Sequence, residues 1–302
     1  MTISILRRCC LASLPLIVLL LSACASQPPF SGEAGDFRFY ISQAQKSSKL
    51  SDQGKDLTPQ PGFDFLIVDL IGENKSFQLS NSSIARATMK GRTISGDYEY
   101  QEYYPYSSQR QTDAWMPPGL RFRKTLVFEV AVTTSDYRIW IQLPGGLFGG
   151  PSTIIALPPT GQSNSSLPPY DSSKINYFTK LGQSVTWFAN TTAVIDRIAQ
   201  NVNRLTVQVR INNTTGYVMT QENPFIYWQA SIIGGDGFIA AALESRGVLV
   251  PPYSIPPGQS SSATINIDIP VSSKLKGAVL VLRGQTQNDG TKWFAFDLSD
   301  VQ

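Results

Sequence analysis

The stretch FLIVDLIGENKS, Phe65 to Ser76, returns in altered form as RLTVQVRINNTT, Arg204 to Thr215, 139 positions later. Leu66, Val68 and Leu70 fall on Leu205, Val207 and Val209, and Asn74 falls on Asn213. The same spacing carries Gly96-Asp97 onto Gly235-Asp236 and Pro117-Pro118-Gly119 onto Pro256-Pro257-Gly258. Three separate anchors at one offset, with no gap between them, mark an internal duplication. The pattern inside each copy is that of strands. After the first Pro-Pro-Gly, Leu126, Phe128 and Val130 share a face, with Glu129 opposite. After the second, Ile265, Ile267 and Ile269 share a face, with Asn266 and Asp268 opposite. Such a period of two belongs to a sheet with one buried and one wet face. A further apolar run follows in both copies, YRIWIQL from Tyr137 and KGAVLVL from Lys276. Pro-Gly suits the two central positions of a type II turn, so the repeated Pro-Pro-Gly reads as a corner entering the last strands.

Working outward, each copy has a candidate first strand: DFRFYISQA from Asp36, and SVTWFANTTAVI from Ser184. In copy one a long turn-rich connection, LSDQGKDLTPQPG, follows it. Helical signals are few. TTAVIDRIAQNVNR, from Thr191, has spacing for a helical turn or two with Thr192 as cap, and is expected to be a connection. FIAAALESRG, from Phe238, fits strand or helix. The Pro, Ser, Gly and Asn content of PPTGQSNSSLPPYDSS has the character of a linker. The expected organisation is therefore a leader over residues 1–23, a tether over 24–35, β-sandwich domains over 36–158 and 184–302, and a linker over 159–183.

The leader has a basic start at Arg7 and Arg8 and an apolar run from Leu11 to Leu21, too short for a bilayer that needs about 20 residues. Leu21-Ser22-Ala23-Cys24 resembles the lipobox of bacterial lipoproteins. The resemblance implies diacylglycerol on the Cys24 thiol, cleavage before Cys24, and a chain held to the cell envelope by its acyl groups. Ala25 in the next position implies sorting to the outer membrane if the host is Gram-negative. Cys9 and Cys10 would leave with the leader, so the mature chain has no pair of thiols for a disulfide and must stand on its hydrophobic cores. Asn74, Asn81, Asn164, Asn190, Asn212 and Asn213 all begin Asn-x-Ser/Thr, which beside a bacterial lipobox reads as compositional bias of a secreted β-protein.

Composition narrows the chemistry. The chain holds 25 basic and 22 acidic residues, and without Arg7 and Arg8 the balance is 23 to 22, no electrostatic footprint for nucleic acid. Charged residues make up 16% of the chain, against about a quarter in an average soluble domain, which suits an extracytoplasmic β-protein. There is no histidine, the commonest general base and metal ligand. With the one mature cysteine acylated, zinc and iron sites of the usual make-up are not expected, nor is any other cofactor.

The motifs together resemble a known group. A strand ending in an Asn-bearing turn (GENKS, INNTT), a Gly-Asp turn in mid-copy, and Pro-Gly ahead of an alternating strand are features of telokin-like, immunoglobulin-fold domains in bacterial lipoproteins and surface antigens. The resemblance implies an all-β fold of two tandem immunoglobulin-like sandwiches and a binding or structural role in the envelope.

One stretch differs sharply between copies. GDYEYQEYYPYSSQRQTDAW, from Gly96, holds Tyr98, Tyr100, Tyr103, Tyr104, Tyr106, Arg110 and Trp115, where copy two has GDGFIAAALESRGVLVPPYS. Tyrosine offers rigid contact area with a polar tip at small entropic cost, so these seven residues form a candidate recognition patch for another envelope protein or a cell-surface glycan. The plainer reading is a strand and loop whose tyrosines pack half-buried on the sandwich. Glu99 and Glu102 could be read as a hydrolytic carboxylate pair, but three residues apart on a strand they face opposite ways. Ser273 and Lys276 have a Ser-Lys nucleophile spacing within an expected hairpin connection, and Asp236 alone supplies too few oxygens for calcium. PGGLFGGP, from Pro144, reads as a hairpin loop or, through Leu147 and Phe148, as an apolar docking loop. The expectation is a non-enzymatic interaction module, with carbohydrate binding as the alternative.

Overall fold

The computed structural model describes residues 29–298, except 53–54, 104–114, 146–148, 167, 169–177, 187–190, 203, 221–226, 234–238, 244–253, 269–277 and 287–289. The chain is all-β, with no helix among the described residues. Its N-terminal half contains β1 (Ser31–Ala34), β2 (Phe37–Ser47), β3 (Leu50–Asp52), β4 (Lys55–Leu57), β5 (Phe63–Asn74), β6 (Ser80–Asn81), β7 (Arg86–Thr93), β8 (Gly96–Gln101), β9 (Trp115–Met116), β10 (Arg121–Ala131), β11 (Ser135–Gln142) and β12 (Ser152–Ala156). The C-terminal half contains β13 (Ser184–Thr186), β14 (Thr192–Asn201), β15 (Arg204–Asn212), β16 (Met219–Thr220), β17 (Tyr227–Ile233), β18 (Ile239–Leu243), β19 (Ser254–Ile255), β20 (Ser260–Asp268), β21 (Val279–Thr286) and β22 (Gly290–Asp297).

The halves share one strand order. The N-terminal half has sheets β1-β2-β5-β10 and β12-β11-β7-β8, with a ribbon β6-β9. The C-terminal half has β13-β14-β15-β20 and, read from the other edge, β22-β21-β17-β18, with a ribbon β16-β19. In the N-terminal half the two sheets meet across one core, where Phe39, Ile41, Leu66, Val68, Leu70, Phe128 and Val130 face Met89, Ile139, Ile141 and Ile155. The second core joins Leu205, Val207, Val209, Ile265 and Ile267 to Leu280, Leu282, Phe294 and Phe296. Leu126, Phe128, Val130, Ile265 and Ile267 lie in these cores as the alternation predicts, and Ile269 lies outside the described residues.

Two local features recur at equivalent positions. The first is a buried asparagine corner. Asn74 Nδ2 donates to Gln78 O at 2.8 Å and Met116 O at 2.7 Å, and Ser76 N donates to Asn74 Oδ1 at 2.9 Å. Asn213 Nδ2 donates to Tyr217 O and Ile255 O, both at 2.8 Å, and Thr215 N donates to Asn213 Oδ1 at 2.9 Å. The Pro-Pro-Gly turn closes each corner: Gly119 N donates to Asn74 O and Gly258 N to Asn213 O. The glycines have φ of 75° and 73°, as a type II turn requires. The Ser or Thr of Asn-x-Ser/Thr at these two positions is thus part of an Asx turn. Asn164 does likewise, with Nδ2 on Ile41 O and Oδ1 accepting from Ser166. The compositional reading gives way at these three positions to specific buried hydrogen bonds.

The second recurrent feature is a β-bulge. The register of β2 on β5 shifts between Ile41 (opposite Leu70) and Gln43 (opposite Asp69), and that of β14 on β15 between Ile195 (opposite Val209) and Arg197 (opposite Gln208). This corrects the reading of TTAVIDRIAQNVNR as a connection with helical character, since residues 192–201 are strand β14. The extra bulge residue stretches one two-residue step to three, so Ala193, Ile195 and Ile198 all reach the core at a spacing that imitates a helix. Phe39, Ile41 and Ala44 repeat that spacing in β2. The 139-residue offset does not lead from β14 to its counterpart β2, because Ile41 and Leu70 lie 29 positions apart, whereas Ile195 and Val209 lie 14 apart. The fixed offset therefore fails upstream of the long connection in copy one. FIAAALESRG resolves to strand over Ile239–Leu243.

The expected linker lies against both halves. Gly161 N donates to Ala44 O and Asn164 N to Ser42 O, which ties its first part to β2. Phe178 bridges Ala295 in parallel, and Thr179 N donates to Ala295 O, which ties its last part to β22. The outer face of β21 and β22 is also covered: Val279, Val281 and Ala295 join the core cluster of the N-terminal half, with Trp293 and Phe178 packed against it. The unbroken apolar run of β21 thus has both its faces buried.

Candidate functional site

The aromatic stretch begins on β8, the second strand of a hairpin with β7. Thr93 pairs with Gly96 across the turn, Thr93 Oγ1 donates to Gly96 O at 3.2 Å, and Ser95 N donates back to Thr93 Oγ1 at 3.1 Å. Beside this turn lies the turn from β10 to β11. Lys46 holds that second turn, with Nζ donating to Val132 O at 3.2 Å and Thr134 O at 3.4 Å, and resting 5.4 Å from the Tyr137 ring centre. Asp136 takes a φ of 52°, a left-handed conformation that Asp tolerates better than most residues.

Between these turns and the segment after β12 runs an open groove of about 900 Å³. Phe30, Leu157, Pro158 and Pro159 give it an apolar wall, and Tyr98 stands on the other side, 47% exposed. Four of its charged residues form two pairs. Lys90 Nζ is 2.8 Å from Glu99, directly across the hairpin, and Arg92 Nε is 3.2 Å from Asp97. Hydrogen bonding to Lys90 holds the Glu99 carboxyl below its ordinary range. Burial pushes the ionisation of the Tyr137 hydroxyl far above the usual value for tyrosine, with Thr134 acting in the opposite sense. The arrangement offers a stacking ring, paired charges and an apolar wall, which suit binding of an extended ligand.

The candidate patch residues separate. Tyr98 faces the groove. Tyr100 turns inward, its hydroxyl 2.6 Å from Thr134 Oγ1, and packs on the N-terminal core. Tyr103 lies on the outer side of the other sheet, its ring 5.1 Å from Phe65, with its N–H on Val127 O. Trp115 stacks under the guanidinium of Arg283, 3.6 Å away and from the other half of the chain. Tyr104, Tyr106, Arg110 and Cys24 lie outside the described residues, as do Leu147, Phe148, Asp236, Ser273 and Lys276. Glu99 and Glu102 have different surroundings: Glu99 is exposed and paired with Lys90, while burial raises the ionisation of Glu102, opposed by the charge of Lys124. Sequence reasoning did not find Lys46, Thr134 to Arg138 or the wall after β12. They come from three distant segments, and no local pattern joins them.

No protein-family model matches the chain, and no curated protein matches it. Among solved structures, it is similar to a conserved hypothetical protein from Bacillus anthracis, at 12% identity over 40% of this chain and 90% of that one, with a TM-score of 0.30. It is also similar to a β-glucosidase from Kluyveromyces marxianus solved with glucose, at 8% identity over 84% of this chain and 49% of the enzyme, with a TM-score of 0.20. Likenesses of this size assign neither fold nor activity.

Proposed function

We propose that the chain is a lipid-anchored cell-envelope protein, made of two tandem immunoglobulin-like sandwiches of the telokin-like kind, that serves as a non-enzymatic interaction or structural module binding another envelope component. The observation that carries this reading is the doubled architecture: one strand order, one asparagine corner and one bulge, each present twice. If β2, β5, β7, β8, β10, β11 and β12 are lettered A, B, C, C′, E, F and G, the sheets read A-B-E and G-F-C-C′. The A-B-E and G-F-C adjacencies are those of the immunoglobulin fold. Support for anchoring comes from Leu21-Ser22-Ala23-Cys24, and Ala25 favours the outer membrane in a Gram-negative host. Support for binding over catalysis comes from the groove, where Lys90 is paired with Glu99 and Arg92 with Asp97.

The test is metabolic labelling with palmitate, followed by crosslinking and recovery from intact cells. Label in the wild-type protein and none in Cys24→Ala is expected, with an envelope protein recovered in the crosslinked product. Unlabelled wild-type protein overturns the anchor. A second reading, binding of peptidoglycan or exopolysaccharide, is favoured by one observation, the exposed Tyr98 ring over an open groove. Retention on purified cell wall that is lost in Tyr98→Ala would select it.

A further inference from the structure

We infer that the outer face of the sheet β12-β11-β7-β8 binds a carboxylated polysaccharide, with a sugar ring stacked on Trp140 and carboxylates held by Arg138 and Arg86. The inference rests on the carbohydrate reading above and deepens it, naming a further surface and the charge of the ligand.

Strand parity fixes the face. On β7, Ala87 and Met89 enter the core, which turns Arg86, Thr88, Lys90 and Arg92 outward. On β11, Ile139 and Ile141 enter the core, which turns Arg138, Trp140 and Gln142 outward. Register sets the rows: Trp140 lies opposite Thr88 and Ile154, Arg138 opposite Lys90, and Gln142 opposite Arg86. Arg138, Trp140 and Arg86 thus stand at successive levels two residues apart, about 7 Å per step.

The charges on this face do not cancel. Glu99 is taken by Lys90 at 2.8 Å and Asp97 by Arg92 at 3.2 Å. Asp136 stands at the bulge that begins β11, next to the groove. Arg138 is exposed and has no ion-pair partner among the described residues. Arg86 is exposed too, and its contacts are neutral: Nη2 donates to Gln101 Oε1 at 3.2 Å, and Cζ lies 5.7 Å from the Trp140 ring centre. A guanidinium offers a carboxylate two parallel N–H bonds. The C–H face of a sugar lies on the electron-rich face of an indole. Two uncompensated guanidiniums flanking one ring therefore fit a chain of sugars that carries carboxylates.

Thr88 supplies a second sign. It is 1% exposed, and its hydroxyl is buried with no hydrogen-bond partner. Such a group is uncommon in a folded chain. This one lies in the row between Gln101 and Trp140, beside the ring on which the sugar stacks.

The twin sheet shows what this face does with other residues on it. At 139 positions on, Trp140 and Gln142 become Val279 and Val281, which with Ala295 are buried in the core cluster of the N-terminal half. The apolar version of the face holds protein. The N-terminal version has little to hold protein with, since its large apolar side chains are the partly exposed Trp140 and Ile154, 55% exposed. A stable protein interface buries about 1,000 Å² or more around an apolar core. A narrow polar polymer needs only a ring and charges beside it.

The experiment measures binding of the full mature chain to polygalacturonate, with neutral dextran, polyglutamate and purified cell wall alongside and thermal melting read on every variant. Expected is retention on polygalacturonate in dilute buffer, release at about 0.5 M salt, weaker binding to polyglutamate and none to dextran. Trp140→Ala should weaken binding about tenfold or more, and Arg138→Gln and Arg86→Gln about threefold each. Trp140→Tyr keeps a ring and should keep most of the binding, which separates stacking from a folding defect. Equal binding to polyglutamate, unchanged in Trp140→Ala, would mean an acidic protein or bare charge and overturns the inference. If Tyr98→Ala removes retention and Trp140→Ala does not, the sugar sits in the groove: the carbohydrate reading stands and this inference falls. Retention on cell wall without any on polygalacturonate has the same consequence. If neither is retained, both fall.

Discussion

The outer faces of the two first sheets differ as much as their topologies agree. In the N-terminal half, Phe65, Ile67 and Val127 point away from the main core, yet Phe65 and Val127 are fully buried, because Leu50 and Leu57 of the β3-β4 hairpin and Tyr103 close over them. In the C-terminal half the matching positions are Arg204, Thr206 and Asn266. They form a wet polar ladder, with Arg204 on Asp268 at 2.9 Å and Thr206 on Asn266 at 3.1 Å. The half with the long connection has apolar residues beneath it, and the half with the short one has polar residues in their place. Insert and sheet face make sense only together: the hairpin is a roof, and a second small core lies under it.

The largest test removes the roof. Replacing residues 48–62 by the two-residue link found between β14 and β15 should cost about 3–6 kcal/mol, since Phe65 and Val127 each lose burial worth about 1.5–3 kcal/mol when Leu50 and Leu57 are removed. Adding Phe65→Arg and Val127→Asn should recover much of the loss in urea melts, as it gives the sheet the chemistry of its twin. If the trimmed chain is as stable as wild type, the roof is ornamental.

Next come the corners, which should behave alike. Asn74→Ala and Asn213→Ala each take the amide donor from one buried carbonyl, Met116 or Ile255, and the acceptor from one N–H, while Gln78 O and Tyr217 O keep Ser76 Oγ and Thr215 Oγ1, for a loss of about 2–3 kcal/mol. Equal losses by denaturant titration would show that the motif carries the same weight in both halves.

A smaller effect is expected where the halves fill one space from opposite strands. Gly72 lies opposite Phe122, while the equivalent Ile211 lies opposite Ser261. A Cβ on Gly72 would meet the Phe122 ring at 2.3 Å. Gly72→Ile should therefore destabilise by about 1–3 kcal/mol through overpacking, and Gly72→Ile with Phe122→Ser should lose less than Gly72→Ile alone.

The smallest effect concerns Glu102, whose equivalent in the C-terminal half is Ala241. Burial raises the folded-state ionisation of Glu102 above its unfolded value. The folded state then holds this proton more tightly, so stability falls as pH rises from the unfolded to the folded value and is level above that. Glu102→Gln should raise the melting temperature slightly at pH 7 and lose that advantage near pH 4. A gain of the same size at both pH values would exclude the burial argument.

Much of the fold was legible because alternation and a fixed offset report strands and duplication directly. The core faces of β5, β10, β15 and β20 follow from period two alone. Strand β14 did not, since a bulge at Asp196 converts a strand rhythm into a helical one, and register is set by the partner strand. The candidate site was less legible. Tyr98, Tyr100, Tyr103 and Trp115 are near one another in sequence but occupy a groove, a core, a roofed face and a contact between halves. Which surface a side chain serves depends on strand parity and on residues such as Arg283 from far along the chain.

The sheet formed by β21 and β22 has a practical consequence. Leu280 and Leu282 look into one core while Val279 and Val281 look into the other, so the halves own a party wall between them. Nicking the polypeptide between the halves would not release two proteins, for the fragments would migrate together until denatured. Amputating the C-terminal half would leave its neighbour with a raw apolar wound.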